Sequence, residues 1–476
     1  MLEGYIPQEQ RKKILLLTDD IRLPSGVGNV GKELVLNTAH RYNWINLGAA
    51  INHPDKGKRF DLSTEVTKLK GIDDPYVHVL PNDGYGDPQL VRNIIKHEKI
   101  DAIFLITDPR YFSWLFQIEN EIRRKVPIIY LNIWDDYPAP MYNKAFYESC
   151  DALLGISKQT VNINKLVLGK KAEGKIIDYV PHGMNPSMFY PIDEKDKGYQ
   201  TFKKTVFKDK EYDFVLFFNS RNIRRKSIPD TLLAWKYFVD QLPKEKADRC
   251  LFLLHTELVS DAGTDLLAVS NYLFGQDYKN IVFSTNKTSV EQLNYMYNLA
   301  DAQILLTSNE GWGLSLTEAL LTGTPIIANV TGGMQDQMRF EFEDGTWIDF
   351  DADFPSNHTG KYKKCGKWAF PVFPTNRSLV GSPPTPYIWD DRCNPEDATA
   401  RIMELYNMTR KERKALGKAG YEWVTSEEAG FTAEIMGKRI IKNIDKVFET
   451  FTPRKKYEFI NVSEVEENKL PHKLLY

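Results

Sequence analysis

Cysteine is scarce. Cys150, Cys250, Cys365 and Cys393 are the only four in 476 residues, and no two lie close together. Without a Cys-x-x-Cys pair, a disulfide scaffold and a cysteine zinc site are both disfavoured. Long apolar runs are missing as well. No stretch approaches the ~18 apolar residues of a membrane span. The polar start Glu9-Gln10-Arg11-Lys12-Lys13 is unlike a secretory leader. Nor is there an excess of one charge: 62 Lys and Arg stand against 64 Asp and Glu, a net charge of -2. That balance excludes a grossly basic, histone-like binder and leaves room for a local basic groove. These absences predict a soluble chain in a reducing compartment, the cytoplasm. What is present is apolar material, 42% of residues, enough for real cores. At about 150 residues per domain, the length predicts two or three domains.

Short apolar runs alternate with amphipathic stretches along the chain. Ile14-Leu15-Leu16-Leu17 is followed by the loop Pro24-Ser25-Gly26-Val27-Gly28-Asn29 and a helical stretch from Val30 to about Tyr42. A strand, a glycine turn and a helix form the opening unit of a doubly wound α/β domain. The pattern recurs at 100–106, 126–133 and 152–156, with helical stretches at 111–125 and 158–168. Unalternating apolar strands predict a parallel sheet covered on both faces. After a charged stretch at 193–211, a second series begins with strands at 214–218, 250–255, 303–306 and 325–329. Helices are expected at 231–241, 290–298 and 314–322. Residues 339–395 break the rhythm with Trp347, Trp368, Phe370, Tyr387, Trp389 and several prolines. They carry the basic cluster Lys361, Lys363, Lys364 and Lys367, and read as an elaborated loop or small β-rich insertion. Three helical stretches follow, and the charged tail at 453–476 is expected to be poorly ordered.

The sharpest chemical feature is Glu310-Gly311-Trp312-Gly313-Leu314-Ser315-Leu316-Thr317-Glu318. Ser308 or Asn309 is placed to cap the coming helix. Gly311 and Gly313 let the backbone approach a ligand closely. The free N–H groups of the helix N-terminus suit a phosphate. Each carboxylate can accept two hydrogen bonds, so Glu310 and Glu318 suit diols on either side of a diphosphate. Two solvated helix glutamates are the plainer alternative, which the glycines and flanking strands disfavour. Arg221 and Lys226 follow the strand at 214–218, at the edge where open α/β sheets bind ligands. A bidentate Arg with a point-charge Lys is a sound diphosphate clamp. Arg224 and Arg225 have the weaker case and read as surface residues.

At this point the sequence resembles the retaining nucleotide-sugar glycosyltransferases of the GT-B fold, of the family 4 type, with a likeness to bacteriophage members. The resembling pattern runs from Glu310 through Glu318 to Ala319, Gly323, Pro325, Gly332 and Gly333. Phe217 to Arg221, Val180-Pro181-His182-Gly183 and Gly26-Val27-Gly28 fall in the family's order, and the likeness covers about 12–335. It implies two Rossmann-like domains facing a cleft. These would be an acceptor-side domain at 1–195, a donor domain at 196–430 containing the insertion at about 339–395, and a C-terminal helix and tail at 431–476 packing back on the first domain. The donor would be a nucleoside diphosphate sugar, with no metal and no cofactor. Glu310, Arg221, Lys226 and Asp135 would be catalytic. Glu318, Gly311, Trp312, Gly313, Leu314, Gly26 and Gly28 would bind the donor.

Three departures stand out. Where the family often has a histidine near the acceptor, this chain has Trp134-Asp135-Asp136-Tyr137. Asp135 can take the acceptor-hydroxyl role, or simply cap the following turn. Asp336 stands where the family commonly has Glu, and the aromatic insertion is not shared. The acceptor stays open among glycan, protein, lipid and modified DNA. A phage-type transfer of glucose or arabinose to hydroxymethylcytosine is one alternative. A GT-B sugar-nucleotide epimerase is another.

Overall fold

The computed structural model describes residues 4–457, apart from 209, 277, 279, 352, 353, 355 and 356. Most of the charged tail, 458–476, therefore lies outside the described residues. The architecture is α/β, with two mainly parallel sheets. The N-terminal sheet comprises β1 (Lys13–Asp19), β2 (Asn43–Ala50), β3 (Phe60–Asp61), β4 (Val77–Asp83), β5 (Ala102–Ile106), β6 (Ile128–Asn132), β7 (Ala152–Gly155) and β8 (Ile176–Tyr179). Their spatial order is β3-β4-β2-β1-β5-β6-β7-β8, and only β3 runs antiparallel to its neighbour. Ile14, Leu15, Leu16 and Leu17 of β1 are fully buried. A strand covered on both faces has no polar side to alternate with, which is why the run is unbroken.

The second sheet comprises β9 (Phe214–Asn219), β10 (Cys250–His255), β11 (Ile281–Ser284), β12 (Ala302–Leu305), β13 (Ile326–Asn329) and β14 (Ala369–Val372). Its order is β11-β10-β9-β12-β13-β14, parallel throughout. In each sheet the chain winds outward from the first strand in one direction and then restarts on the other side. The switch points are β1/β5 in one sheet and β9/β12 in the other. The carboxyl ends of strands at such points open a crevice for ligands.

Several elements differ from the sequence-based expectation. The charged stretch at 193–211 contains the helix Lys197–Phe207, whose buried Tyr199 and Phe207 pack with Val215 and Leu299. Amphipathic spacing of a few aromatics outweighs the local lysines. The stretch at 111–125 is two short helices, Ser113–Gln117 and Glu119–Ile122. Part of the insertion is core: β14 is the sixth strand of the second sheet. The rest includes an antiparallel hairpin, β15 (Asn376–Ser382) and β16 (Thr385–Arg392). The chain then returns across the domain boundary. The Met184 N–H donates to the Phe431 carbonyl (2.9 Å), and the Ala433 N–H donates to the Met184 carbonyl (2.8 Å). Helix Ala433–Thr450 lies on helix Gly26–Thr38 of the first half. There the Tyr42 hydroxyl donates to Asp445 Oδ1 at 2.7 Å. No helix among the described residues is long and apolar enough to cross a membrane.

Candidate functional site

The two switch points face each other across a cleft of about 740 Å³. The first sheet contributes Asp19, the Gly26 loop, Ile133 and Asp135; the second contributes Arg221, Arg225, Lys226 and the segment from Glu310 to Glu318. Gly311 sits where the walls meet. A Cβ there would lie 2.9 Å from the Ile133 carbonyl and 3.6 Å from Asp135 Cβ, so only glycine fits. Gly313 has φ 84°, the left-handed region that glycine enters without strain. That turn aims the following helix, Leu314–Leu321, at the cleft. No side chain among the described residues caps its N-terminus; the Leu316 N–H donates to the Gly313 carbonyl at 2.9 Å, so the N–H groups of Leu314 and Ser315 are the ones left to meet an anion. The cap expected from Ser308 or Asn309 does not form. Ser308 Oγ (2.9 Å) and Asn309 Nδ2 (3.1 Å) instead donate to Asp390 Oδ1 on the hairpin.

Glu310 pairs with Lys226 through a short hydrogen bond and with Arg225 Nη1 at 2.8 Å. Burial pushes its carboxyl up, but the two cations more than offset this and hold it at about 2. Lys226 is pushed down by burial, with Glu310 opposing the loss of its charge. Arg225 also donates to the Asn309 carbonyl at 2.6 Å. The structure thus gives Arg225 a central place, where its sequence context had suggested a surface residue. Its partner carbonyl and carboxylate lie more than eighty positions away, so nothing local marks it. Arg221, the arginine favoured by the sequence, lines the cleft but is exposed and has no ion pair among the described residues.

Glu318 lies deeper along the helix. The hydroxyl of Tyr297 donates to its Oε2 at 2.5 Å and Asn219 Nδ2 at 3.2 Å. No cation offsets its burial, which pushes the carboxyl up to about 7 against those two hydrogen bonds. One carboxylate of the pair is therefore locked ionised while the other titrates near neutrality. Beyond Glu318 the rim carries His255, Thr256 and Ser284 to Lys287. These residues stand at the ends of β10 and β11, a signal available from strand position alone.

Trp312 is only 2% exposed. Its indole N–H donates to Thr317 Oγ1 at 3.0 Å, and its ring meets Phe431 edge-on at 4.7 Å. The side chain therefore holds the returning C-terminal segment. Leu314 approaches Gly26 across the cleft, 3.7 Å from where a Cβ on Gly26 would stand. Gly28, unlike Gly26, is not among the residues lining the cleft. It lies beneath Ser25, whose Oγ accepts from the Gly28 N–H at 2.9 Å; a Cβ there would meet that Oγ at 2.8 Å. The helix therefore starts at Gly26, earlier than the expected Val30.

Asp135 lines the cleft, with its carboxyl raised by burial and by Glu310 against the pull of Arg225. The turn after it is served by Asp136, whose Oδ1 accepts from the Tyr137 N–H at 2.7 Å. His182 is 7% exposed at the cleft wall, and burial brings its imidazole down to about 4, so the ring is neutral. Asp336 joins the halves behind the site: its Oδ2 accepts from the Lys158 N–H and the Tyr179 hydroxyl, both at 2.9 Å. Among the described residues, no three His, Cys, Asp or Glu side chains gather to hold a metal.

Residues 275–353 match the family Glycosyl transferases group 1. No curated protein matches the chain in sequence. Solved structures share the fold across nearly its whole length. Sucrose-phosphate synthase from Thermosynechococcus elongatus aligns with TM-score 0.64 at 13% identity, covering 92% of this chain and 100% of its own. HepE from Anabaena, in complex with UDP and glucose, aligns with TM-score 0.62 at 11% identity, covering 92% and 100%. A glycosyltransferase from Rickettsia africae aligns with TM-score 0.61 at 14% identity, covering 93% and 100%. The fold is GT-B, two Rossmann-like halves facing a cleft. With the family match, which spans Glu310 and Glu318, the chain is a glycosyltransferase.

Proposed function

We propose that this chain moves a glycosyl group from a uridine diphosphate sugar to an acceptor hydroxyl and retains the anomeric configuration. The observation that carries the proposal is the cage around Glu310. Two cations meet there on one carboxylate, and the helix that starts four residues on has no side-chain cap among the described residues. Such an arrangement suits a sugar diphosphate, with negative charge at the leaving group and hydroxyls beside it. Arg225, Lys226, Arg221 and the N–H groups after Gly313 take the diphosphate. Glu310 orients the sugar ring. Glu318 accepts from the ribose diol.

In the proposed step the bond from the anomeric carbon to the diphosphate oxygen breaks as the acceptor oxygen attacks the same face. The acceptor proton passes to the departing phosphate oxygen. Asp135 holds the acceptor hydroxyl as a hydrogen-bond acceptor. The donor charge is met by fixed protein cations, so no metal is needed at the diphosphate. Approach of the two halves excludes water from the sugar.

UDP-glucose, which the Anabaena protein binds, is the first donor to test. Titration calorimetry should give micromolar binding of UDP, and Glu318→Ala should weaken it about tenfold or more. Unchanged affinity in that variant would sink the ribose assignment. Isomerised free sugar nucleotide without a transfer product would favour an epimerase. An inverted anomeric centre in the product, read by NMR, would overturn retention.

A further inference from the structure

The cleft has an acceptor half that the donor does not account for. It lies at the switch point of the first sheet, where the ends of β1 and β5 diverge. Asp19 closes β1 and faces the cavity. Its two oxygens are held from opposite sides. The Ser25 hydroxyl donates to Oδ2 at 2.5 Å, and the Tyr85 hydroxyl donates to Oδ1 at 2.6 Å. Tyr85 is anchored in turn by stacking on Tyr111 at 4.9 Å and meeting Phe112 edge-on at 5.6 Å. Asp135 approaches the same space from the end of β6.

Each Asp19 oxygen keeps one lone pair free, and both are pre-oriented. A carboxylate held in this way accepts from neighbouring hydroxyls of a polyol. The charges of the surrounding loops point the same way. Arg22 is bound to Asp20 Oδ2 at 2.6 Å, and Arg110 is paired with Asp108. Among the described lining residues of this half, no Lys or Arg is present, whereas the donor half has four. An anion entering here meets two carboxylates, and the cation that acts on Asp135, Arg225, is already paired with Glu310.

We propose that Asp19, positioned by Ser25 and Tyr85, is an acceptor-specificity residue, and that with Asp135 it selects an uncharged polyol over a phosphorylated sugar or a nucleic acid. The inference rests on the transferase reading and deepens it. UDP release from UDP-glucose can be followed with glucose, maltose and myo-inositol as uncharged probes. Glucose 6-phosphate and duplex DNA bearing hydroxymethylcytosine serve as anionic probes. At least one uncharged probe should accelerate release about tenfold over hydrolysis, and the anionic probes should leave it within about twofold. Asp19→Asn should raise the KM of the active probe about tenfold with UDP affinity unchanged. Tyr85→Phe, which keeps the ring, should raise it about threefold by the same route. The assignment is overturned by acceleration with an anionic probe, by inactivity of all three uncharged probes, or by an unmoved KM in both variants. A wild-type chain that binds no UDP would sink the donor reading instead, and calorimetry alone reports that outcome.

Discussion

Glu310 and Glu318 stand eight positions apart on one segment, yet the protein treats their charges in opposite ways. Glu310 has two cations against it and a carboxyl at about 2; Glu318 has only a tyrosine and an asparagine and a carboxyl at about 7. The depressed group contributes stability above the ordinary carboxylate range, lost only as the pH falls toward 2. Glu310→Gln should therefore destabilise the chain at neutral pH by about 3 kcal/mol, because it leaves Arg225 and Lys226 buried side by side. It should also cut turnover about a hundredfold or more. Denaturant unfolding and steady-state rates check the two effects separately. The raised group behaves inversely. Its contribution is complete below the ordinary carboxylate range and is lost as the pH rises through about 7. Empty Glu318→Gln should accordingly gain stability over the wild type between pH 5 and 8, by about 1 kcal/mol after allowing for water in the cleft. Donor affinity of the wild type should fall as the pH drops below about 7, and the variant should lose that slope. A stability difference that stays flat from pH 5 to 8 would contradict this environment for Glu318.

At the scale of elements, the hairpin of β15 and β16 connects to both halves of the chain. On one side it holds the segment leading into Glu310. Asp390 accepts from Ser308 and Asn309, and the Asp391 N–H donates to the Ser308 carbonyl at 3.0 Å. On the other side it holds the loop after Asp135. The Trp389 N–H donates to the Tyr137 carbonyl at 2.8 Å, and the Tyr142 hydroxyl to the Tyr387 carbonyl at 3.0 Å. One strand thus ties the Glu310 segment of one half to the Asp135 loop of the other. Asp390→Ala should cost about 1–2 kcal/mol, as two buried donors lose their acceptor. It should lower turnover and weaken UDP binding together, since Arg225 donates to the Asn309 carbonyl on the segment that the strap holds. Unchanged UDP affinity in calorimetry would show that Arg225 keeps its place without the strap. Ser308 and Asn309 have the right chemistry for capping, but Gly313 holds the cap position of the helix, and their side chains go to Asp390.

For the whole molecule, contacts away from the cleft add to those at it in holding the two halves together. Helix Ala433–Thr450 crosses back to the first half, and Gly437 permits its close approach. A Cβ there would meet Asn37 Cβ at 2.7 Å and the Asn37 carbonyl at 2.9 Å. In an isolated helix Gly→Ala gains about 1 kcal/mol. Here the clash with backbone outweighs that gain, so Gly437→Ala should lower the melting temperature by several degrees, read by thermal denaturation. A stabilised variant would mean that the helix is not tightly seated.

The sequence by itself determined both Rossmann-like halves and the strand-glycine-helix segment around Glu310 and Glu318. Apolar runs this short, each bounded by turn residues, suit strands buried on both faces, and glycines beside carboxylates at a strand end are a local signal. It also placed Lys226 and Asp135 at strand ends facing the cleft. It could not pair Arg225 with Glu310, put Ser25 over Gly28, reveal β14 inside the insertion, or assign Asp19 its neighbours Ser25 and Tyr85. Each of those depends on which distant backbone lies within about 3 Å of a side chain, and hydrogen bonds and ion pairs act only at that range. Periodicity records the face a residue buries; the tertiary structure alone decides what that face meets.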